Sequence, residues 1–275
     1  MDLNIILVLK AIIVAIVEGI TEFVPISSTG HMIIVGNAIN FKSAFANSFE
    51  VVIQLGAILA IIVLYWNKIW TSVVEFFKGK PSGIKFWTNI IVAFIPAAVF
   101  GFLLNDKINE LLFNPVTVAL ALVVGGVLMI IIEKKFRSMD KTKSIEQISI
   151  KQSIKIGLFQ CFALWPGMSR SASTIMGGWI SGVSTVAATE FSFFLAIPTM
   201  IGAAALTLYK SGMNFSSGEL ITLVIGFVTA FLVALVVVER FVSYLKNKPM
   251  KIFAIYRIIV GIALLLIFKF TNMVI

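Results

Sequence analysis

The chain has 275 residues, 59% of them hydrophobic and 13% charged, with a mean hydropathy of +1.04, whereas soluble domains carry roughly 25% charged residues. That composition excludes a water-soluble domain and describes an integral membrane protein. The formal net charge of +9 is spread over separate loops rather than gathered on one face, so it points to membrane topology and not to nucleic acid.

At the N-terminus Asp2 precedes the apolar run, Lys10 lies inside it, and Glu18 follows without a small-residue cleavage site. The segment is therefore expected to be retained rather than removed as a signal peptide. Residues 3-24 are long enough to span a bilayer, but Pro25 ends that run, and the piece that follows, about 29-40, holds 12 residues and reaches only about 18 Å as a helix. Residues 1-40 are thus predicted to form a helix-turn-helix hairpin that leaves the membrane on the side it entered. Such a turn is tolerable only where protein or water covers its backbone. Apolar spans follow at about 45-66, 88-104 and 116-132. A second hairpin is predicted at 149-182, then spans at about 185-208, 219-238 and 252-270. Each span has the roughly 17 to 25 residues that a crossing requires.

The two hairpins carry related patterns. "FVPISSTGHMIIVG" (23-36) and "LWPGMSRSASTIMGG" (164-178) share a proline, a hydroxyl-rich turn and an apolar run ending at glycine, and Glu50 and Glu190 follow at 25 and 24 residues from Pro25 and Pro166. One membrane domain, 1-275, is read as two repeats, about 1-135 and 149-275. If each is a re-entrant hairpin plus three spans, the odd number of crossings inverts the second copy. The charges agree: segments 67-86, 133-155 and 239-251 carry four, seven and four Lys/Arg, while 105-115 and 209-218 carry one each. By the positive-inside rule the first set is cytoplasmic. Hairpin one then enters from the outside and hairpin two from the cytoplasm. Their tips should meet near the midplane, where broken-helix membrane proteins hold substrates. The fold class is accordingly all-α, six transmembrane helices plus two re-entrant hairpins in an inverted repeat.

Polar chemistry concentrates at the two turns. Glu18 and Glu22, four apart, share a helical face. In a poorly solvated place one of them takes a proton or a cation sits between them; Mg²⁺ or Ca²⁺ suits carboxylate oxygens. A pair snorkelling at a helix end is the plainer reading. Ser27, Ser28 and Thr29 follow Pro25 as N-cap hydroxyls, at a helix N-terminus that favours phosphate. His31, the one histidine in the chain, has a side chain suited to acid-base work, although a lone histidine on an apolar helix more often simply packs. In the second turn Gly167 permits a tight bend and Ser169 and Ser171 donate or cap. Arg170 offers a planar fork for phosphate, with Thr174 on its helical face. Arg170 paired with Glu50 or Glu190 is the structural alternative. Glu50 and Gln54 are second-tier candidates, and Arg257 either pairs with an acid or snorkels. The single Cys161 precludes an intramolecular disulfide and reads as a packing residue.

Through "EGITEFVPISSTGH", "FEVVIQLGAILA", "ALVVGG", "FQCFALWPGMSRSAST", "EFSFFLAIP" and "FAIYR" the chain resembles, nearly end to end, the undecaprenyl-diphosphate phosphatase family of bacitracin-resistance proteins. One departure is Ala172, where the family usually has glycine. The resemblance implies removal of the terminal phosphate from the C55 isoprenoid diphosphate, at the outer face of the bacterial cell membrane, to regenerate the monophosphate carrier for envelope synthesis. It implies that Glu18 and Glu22 bind a divalent cation or handle protons, that Ser28 is the nucleophile with His31 as its acid-base partner, and that Arg170, Ser169 and Thr174 clamp the diphosphate. Attack by metal-activated water in place of Ser28 stays open. A carrier that flips phosphorylated lipid is the competing class; a channel is disfavoured by Arg170 among acids. Homodimerisation is one option for the oligomeric state.

Overall fold

The structure, a computed structural model, describes residues 4–139, 141–211, 215–246 and 248–271. Asp2 and residues 212–214, within the segment 209-218, lie outside the described residues. Among those described there is no strand, only an isolated parallel bridge between Thr142 and Val183.

Helix α1 (Ile5–Thr21) begins where the Asn4 side chain accepts from the Leu7 N–H. It ends at Glu22–Ile26, where Pro25 supplies no backbone donor, and α2 (Ser28–Ala38) restarts behind the Ser27 cap. The second hairpin repeats this plan. The helix α7 (Ile150–Gln160) opens with a capping box of Ser149 and Gln152, tightens into a 3₁₀ turn at Cys161–Leu164, and is followed by α8 (Arg170–Ile180) behind the Ser169 cap.

The long helices are α3 (Ala44–Leu64), α5 (Pro81–Leu112), α6 (Pro115–Phe136), α9 (Thr185–Ser211), α10 (Ser217–Leu245) and α11 (Lys251–Thr271). All six are long and apolar enough to cross a membrane. They match the predicted spans, but α5 and α10 run well past the apolar windows because their charged ends continue the helix into the interface. Helix α4 (Trp66–Phe77) was not predicted. Twelve residues cannot cross a bilayer, and this helix exposes Trp66, Trp70 and Phe77, the pattern of a helix lying at an interface. Lys68 on α4 bridges Glu146 (2.8 Å) and Glu190 on α9 (3.1 Å).

In the packing α1 lies against α2 and α10, α7 against α8 and α5, α3 against α10 and α9, and α6 against α11. Small residues allow the closest approaches, as in membrane bundles generally: Gly19 faces the Ala230 carbonyl, Gly56 the Phe227 backbone and Gly157 the Ala93 backbone. The largest core gathers Phe23, Trp179, Phe191, Phe193 and Phe194, which wedge the first turn against α8 and α9.

Candidate active site

Both turns end in the same unusual backbone. Ser27 and Ser169 hold φ of 73° and 70°, a region that costs a residue with a Cβ about 1–3 kcal/mol and persists only where the surroundings enforce it. Each serine caps the helix it precedes, Ser27 Oγ accepting from the Gly30 N–H (3.3 Å) and Ser169 Oγ from the Ala172 N–H (3.2 Å). Gly167, at φ 100°, sits so close to the Val118 carbonyl and the Ala121 Cβ that a side chain is excluded by space as well as by conformation.

The two tips meet. Ser171 Oγ donates to the Val24 carbonyl (3.1 Å) and, its one proton so used, accepts from Ser169 Oγ (3.0 Å). Arg170 Nη2 reaches Glu22 Oε1 at 3.3 Å, while the Ser28 hydroxyl donates to the other oxygen, Glu22 Oε2, at 2.5 Å. Glu22 and Ser28 are both buried. One carboxylate therefore joins a hydroxyl of the first turn to the guanidinium of the second. Arg170 Nη1 donates to the carbonyl (2.8 Å) and hydroxyl (3.2 Å) of Ser192 on α9, whose hydroxyl also accepts from Thr174 Oγ1 (2.8 Å). The guanidinium also lies over the Phe23 ring at 5.8 Å, a cation–π contact. A cavity of about 140 Å³ opens here, walled by Glu22, Ser27, Ser28, Thr29, Gln54, Ser169 and Arg170. A wider cavity of about 510 Å³ between α5 and α9 shares Thr29, Ala163, Pro166 and Arg170 with it and continues along Phe94, Gly101 and Phe102.

Of the residues expected at the site, Ser27, Ser28, Thr29, Glu22, Gln54, Ser169 and Arg170 face this cavity; Ser171 and Thr174 lie behind it and support it. Glu18 is fully buried; no donor reaches either of its carboxylate oxygens, and its side chain comes within hydrogen-bond reach of the Glu22 carboxyl. Glu22 and Glu50 repel it and Arg170 attracts it. His31 is placed differently from what the resemblance implies. Its Nδ1 meets the Ser27 carbonyl (2.8 Å) and its Nε2 the Tyr256 hydroxyl (2.8 Å), with the two rings stacked. Neither nitrogen is on Ser28, because four residues of helix turn the ring back onto the strained cap. Arg170 pairs with Glu22 rather than with Glu50 or Glu190, the latter being held by Lys68.

Arg257 is a correction of another kind. It neither pairs with an acid nor snorkels; it is fully buried and donates to the carbonyls of Pro25 (3.4 Å), Ala121 (3.4 Å), Gly167 (3.0 Å) and Met168 (2.9 Å). One cation thus ties both turns to α6 and α11. Sequence reasoning missed Ser192 and Tyr256. A hydroxyl two residues from Glu190 inside an apolar span was the available signal for Ser192; Tyr256, far along the chain, offered none.

Among the described residues no group of three His, Cys, Asp or Glu side chains is placed to hold an ion. The orphaned oxygens of Glu18 beside Glu22 nevertheless fit a hard cation that completes its shell with phosphate oxygens and water, as Mg²⁺ commonly does.

Comparison with known proteins agrees with this constellation. An undecaprenyl-diphosphatase of Clostridium tetani is 61% identical over 261 residues, covering 95% of this chain and 96% of that protein. One of Clostridium perfringens is 52% identical over 296 residues (96% and 97%), and undecaprenyl-diphosphatase 2 of Clostridioides difficile is 50% identical over 283 residues (100% and 99%). The profile described as "Bacitracin resistance protein BacA" matches residues 11–263, and the chain accordingly belongs to the BacA family of bacitracin resistance proteins.

Proposed function

We propose that this chain hydrolyses undecaprenyl diphosphate to the monophosphate and inorganic phosphate, recycling the lipid carrier and so conferring bacitracin resistance. The observation that carries the reading is the Glu22 carboxylate, with the Ser28 hydroxyl on one oxygen and Arg170 on the other. Ser28 Oγ attacks the terminal phosphorus and its proton passes to Glu22, which already accepts that hydrogen bond. The bond from the terminal phosphorus to the bridging oxygen breaks, and the lipid monophosphate leaves. Water then attacks the phosphoserine, the bond from phosphorus to Ser28 Oγ breaks as Glu22 returns its proton to that oxygen, and phosphate leaves carrying the protons of the water. Arg170 and the first-turn N–H groups of α2 and α8 stabilise the charge on the group in transfer. Ser192 and Phe23 hold the guanidinium fork in place; His31 and Tyr256 hold the strained Ser27 carbonyl, so His31 acts here by positioning the turn that carries Ser28. Glu18 and Glu22 would hold a Mg²⁺ or Ca²⁺ ion, which when bound supplies further positive charge to the diphosphate.

The wider apolar cavity between α5 and α9 suits the first isoprene units, with the rest of the tail in lipid. Its far wall, Asn105, Asn109 and Thr207, lies at helix ends that the charge pattern assigns to the outer side, so the site opens toward the outer face of the cell membrane. Two features support a re-entrant, inverted-repeat architecture. Both hairpins restart behind a positive-φ serine cap, and α1 lies against α10 as α7 lies against α5. The relatives described above bear the diphosphatase name, and nothing supports a lipid carrier instead.

The test is phosphate release by purified protein given the C55 diphosphate and Mg²⁺ or Ca²⁺. Ser28→Ala and Glu22→Gln should each lower kcat by at least about 100-fold, the lower end of what a positioned base contributes. A chelator should abolish turnover and added cation restore it. Full turnover by either variant ends this assignment of Ser28 and Glu22.

A further inference from the structure

Gln160 has no part in the chemistry described so far. It closes α7, immediately before the 3₁₀ turn Cys161–Leu164, and is 1% exposed. Its Oε1 accepts from the Thr199 hydroxyl of α9 at 3.3 Å, and its Nε2 has no hydrogen-bond partner. A buried amide nitrogen left unpaired is destabilising, and native structures rarely tolerate one without a reason. Its neighbourhood supplies the reason. Gln160 and Thr199 both wall the wide apolar cavity. Ala163, three residues after Gln160, walls both cavities, and Met200, next to Thr199, walls the small one. The amide therefore stands where the polar pocket joins the tail cavity. Gln160 also precedes the strained Ser169 by nine residues, as Glu18 precedes Ser27. The two repeats thus place a buried, unsatisfied side chain at the same station, an anion in one and a neutral amide in the other.

We propose that Gln160 is a substrate-binding residue that donates a hydrogen bond from Nε2 to the inner phosphate of the isoprenoid diphosphate. This rests on the phosphatase reading above. With the terminal phosphate beside Ser28 and Arg170 and the tail between α5 and α9, the inner phosphate falls at the junction. When the bridging bond breaks, the inner phosphate becomes that of the lipid monophosphate and gains charge, so a donor there stabilises the leaving group. A carboxylate at this station would repel it.

The experiment uses purified full-length protein and three probes: farnesyl diphosphate as substrate, farnesyl monophosphate as a product inhibitor that occupies the inner-phosphate position, and orthovanadate as an inhibitor that mimics the transferred phosphate. Gln160→Met keeps the side-chain length and removes the donor. It should lower kcat/KM roughly ten- to hundredfold, the range for a hydrogen bond to a charged group. It should raise the inhibition constant of farnesyl monophosphate by at least about tenfold and leave that of orthovanadate unchanged. Gln160→Glu should be worse on the first two measures and also leave vanadate unchanged. Equal weakening of both inhibitors means that Gln160 only shapes the fold and overturns the inference; so does wild-type behaviour of Gln160→Met. Absence of phosphate release by the wild-type protein would instead sink the phosphatase reading, so the two failures are distinguishable.

Discussion

Arg257 shows how much a single side chain can set at this site. A guanidinium brought out of water is costly unless its hydrogen bonds are replaced, and here four backbone carbonyls replace them. Two of these, at Gly167 and Met168, belong to the turn that presents Arg170, and one, at Pro25, to the turn that presents Ser28. Removing the fork leaves these acceptors buried and unpaired at about 1–3 kcal/mol each. Arg257→Ala is therefore expected to lower the melting temperature in detergent and to abolish phosphate release, although no contact with substrate is lost. Arg257→Lys should recover part of the stability and little activity, since a point charge with three donors cannot reproduce the planar fork. Gly125→Ala tests the same contact from the other side, because the added methyl would fall on the Arg257 guanidinium; it should mimic Arg257→Lys. Nothing in "FAIYR" announces carbonyl partners. Arg170 was legible because it sits among hydroxyls after a proline, but the carbonyl partners of Arg257, drawn from the two turns and α6, exist only once the helices are packed. His31 teaches the same lesson: its residue type suggested acid-base work and the resemblance named Ser28 as its partner, whereas its ring nitrogens meet a local carbonyl and a hydroxyl 225 residues away.

At the scale of elements, the hairpins depend on abrupt restarts of α2 and α8. Ser27 and Ser169 serve each restart in two opposed ways: the hydroxyl caps the helix while the Cβ pays a conformational penalty for positive φ. Replacement by alanine keeps the penalty and loses the cap, which costs about 1 kcal/mol. Replacement by glycine loses the cap but removes the penalty. Ser169→Gly should therefore melt above Ser169→Ala, and the same order should hold at Ser27; the reverse order would mean that the positive φ carries no penalty at these turns. Close packing is the other requirement. Gly19 lets α1 reach the α10 backbone, so Gly19→Leu should separate the first hairpin from its support and lower both melting temperature and turnover. The six long helices were readable because hydropathy summed over some twenty residues outweighs local detail. Helix α4 was not, because Asn67, Lys68, Thr71, Ser72 and Glu75 interrupt its 12 residues and leave no long apolar run.

For the whole molecule, what matters is which side of the membrane the cavity faces. Lys and Arg crowd the segments 67-86, 133-155 and 239-251, and holding these on the cytoplasmic side puts the 105–113 end of α5 and the 206–207 end of α9 outside. Those ends wall the wide cavity. A substrate diphosphate presented in the outer leaflet would then enter between α5 and α9 with its tail still in lipid and its headgroup directed to Arg170. The orientation can be read with one substitution at a time, because Cys161 is the single cysteine and Cys161→Ala gives a thiol-free background. In that background Asn109→Cys, exposed beside the cavity mouth, should react with a membrane-impermeant maleimide added to intact cells, and farnesyl diphosphate should slow the reaction. Lys141→Cys, exposed in the basic segment, should react only after the cells are made permeable. If the pattern is reversed, the cavity opens to the cytoplasm, and the substrate must reach it from the inner leaflet.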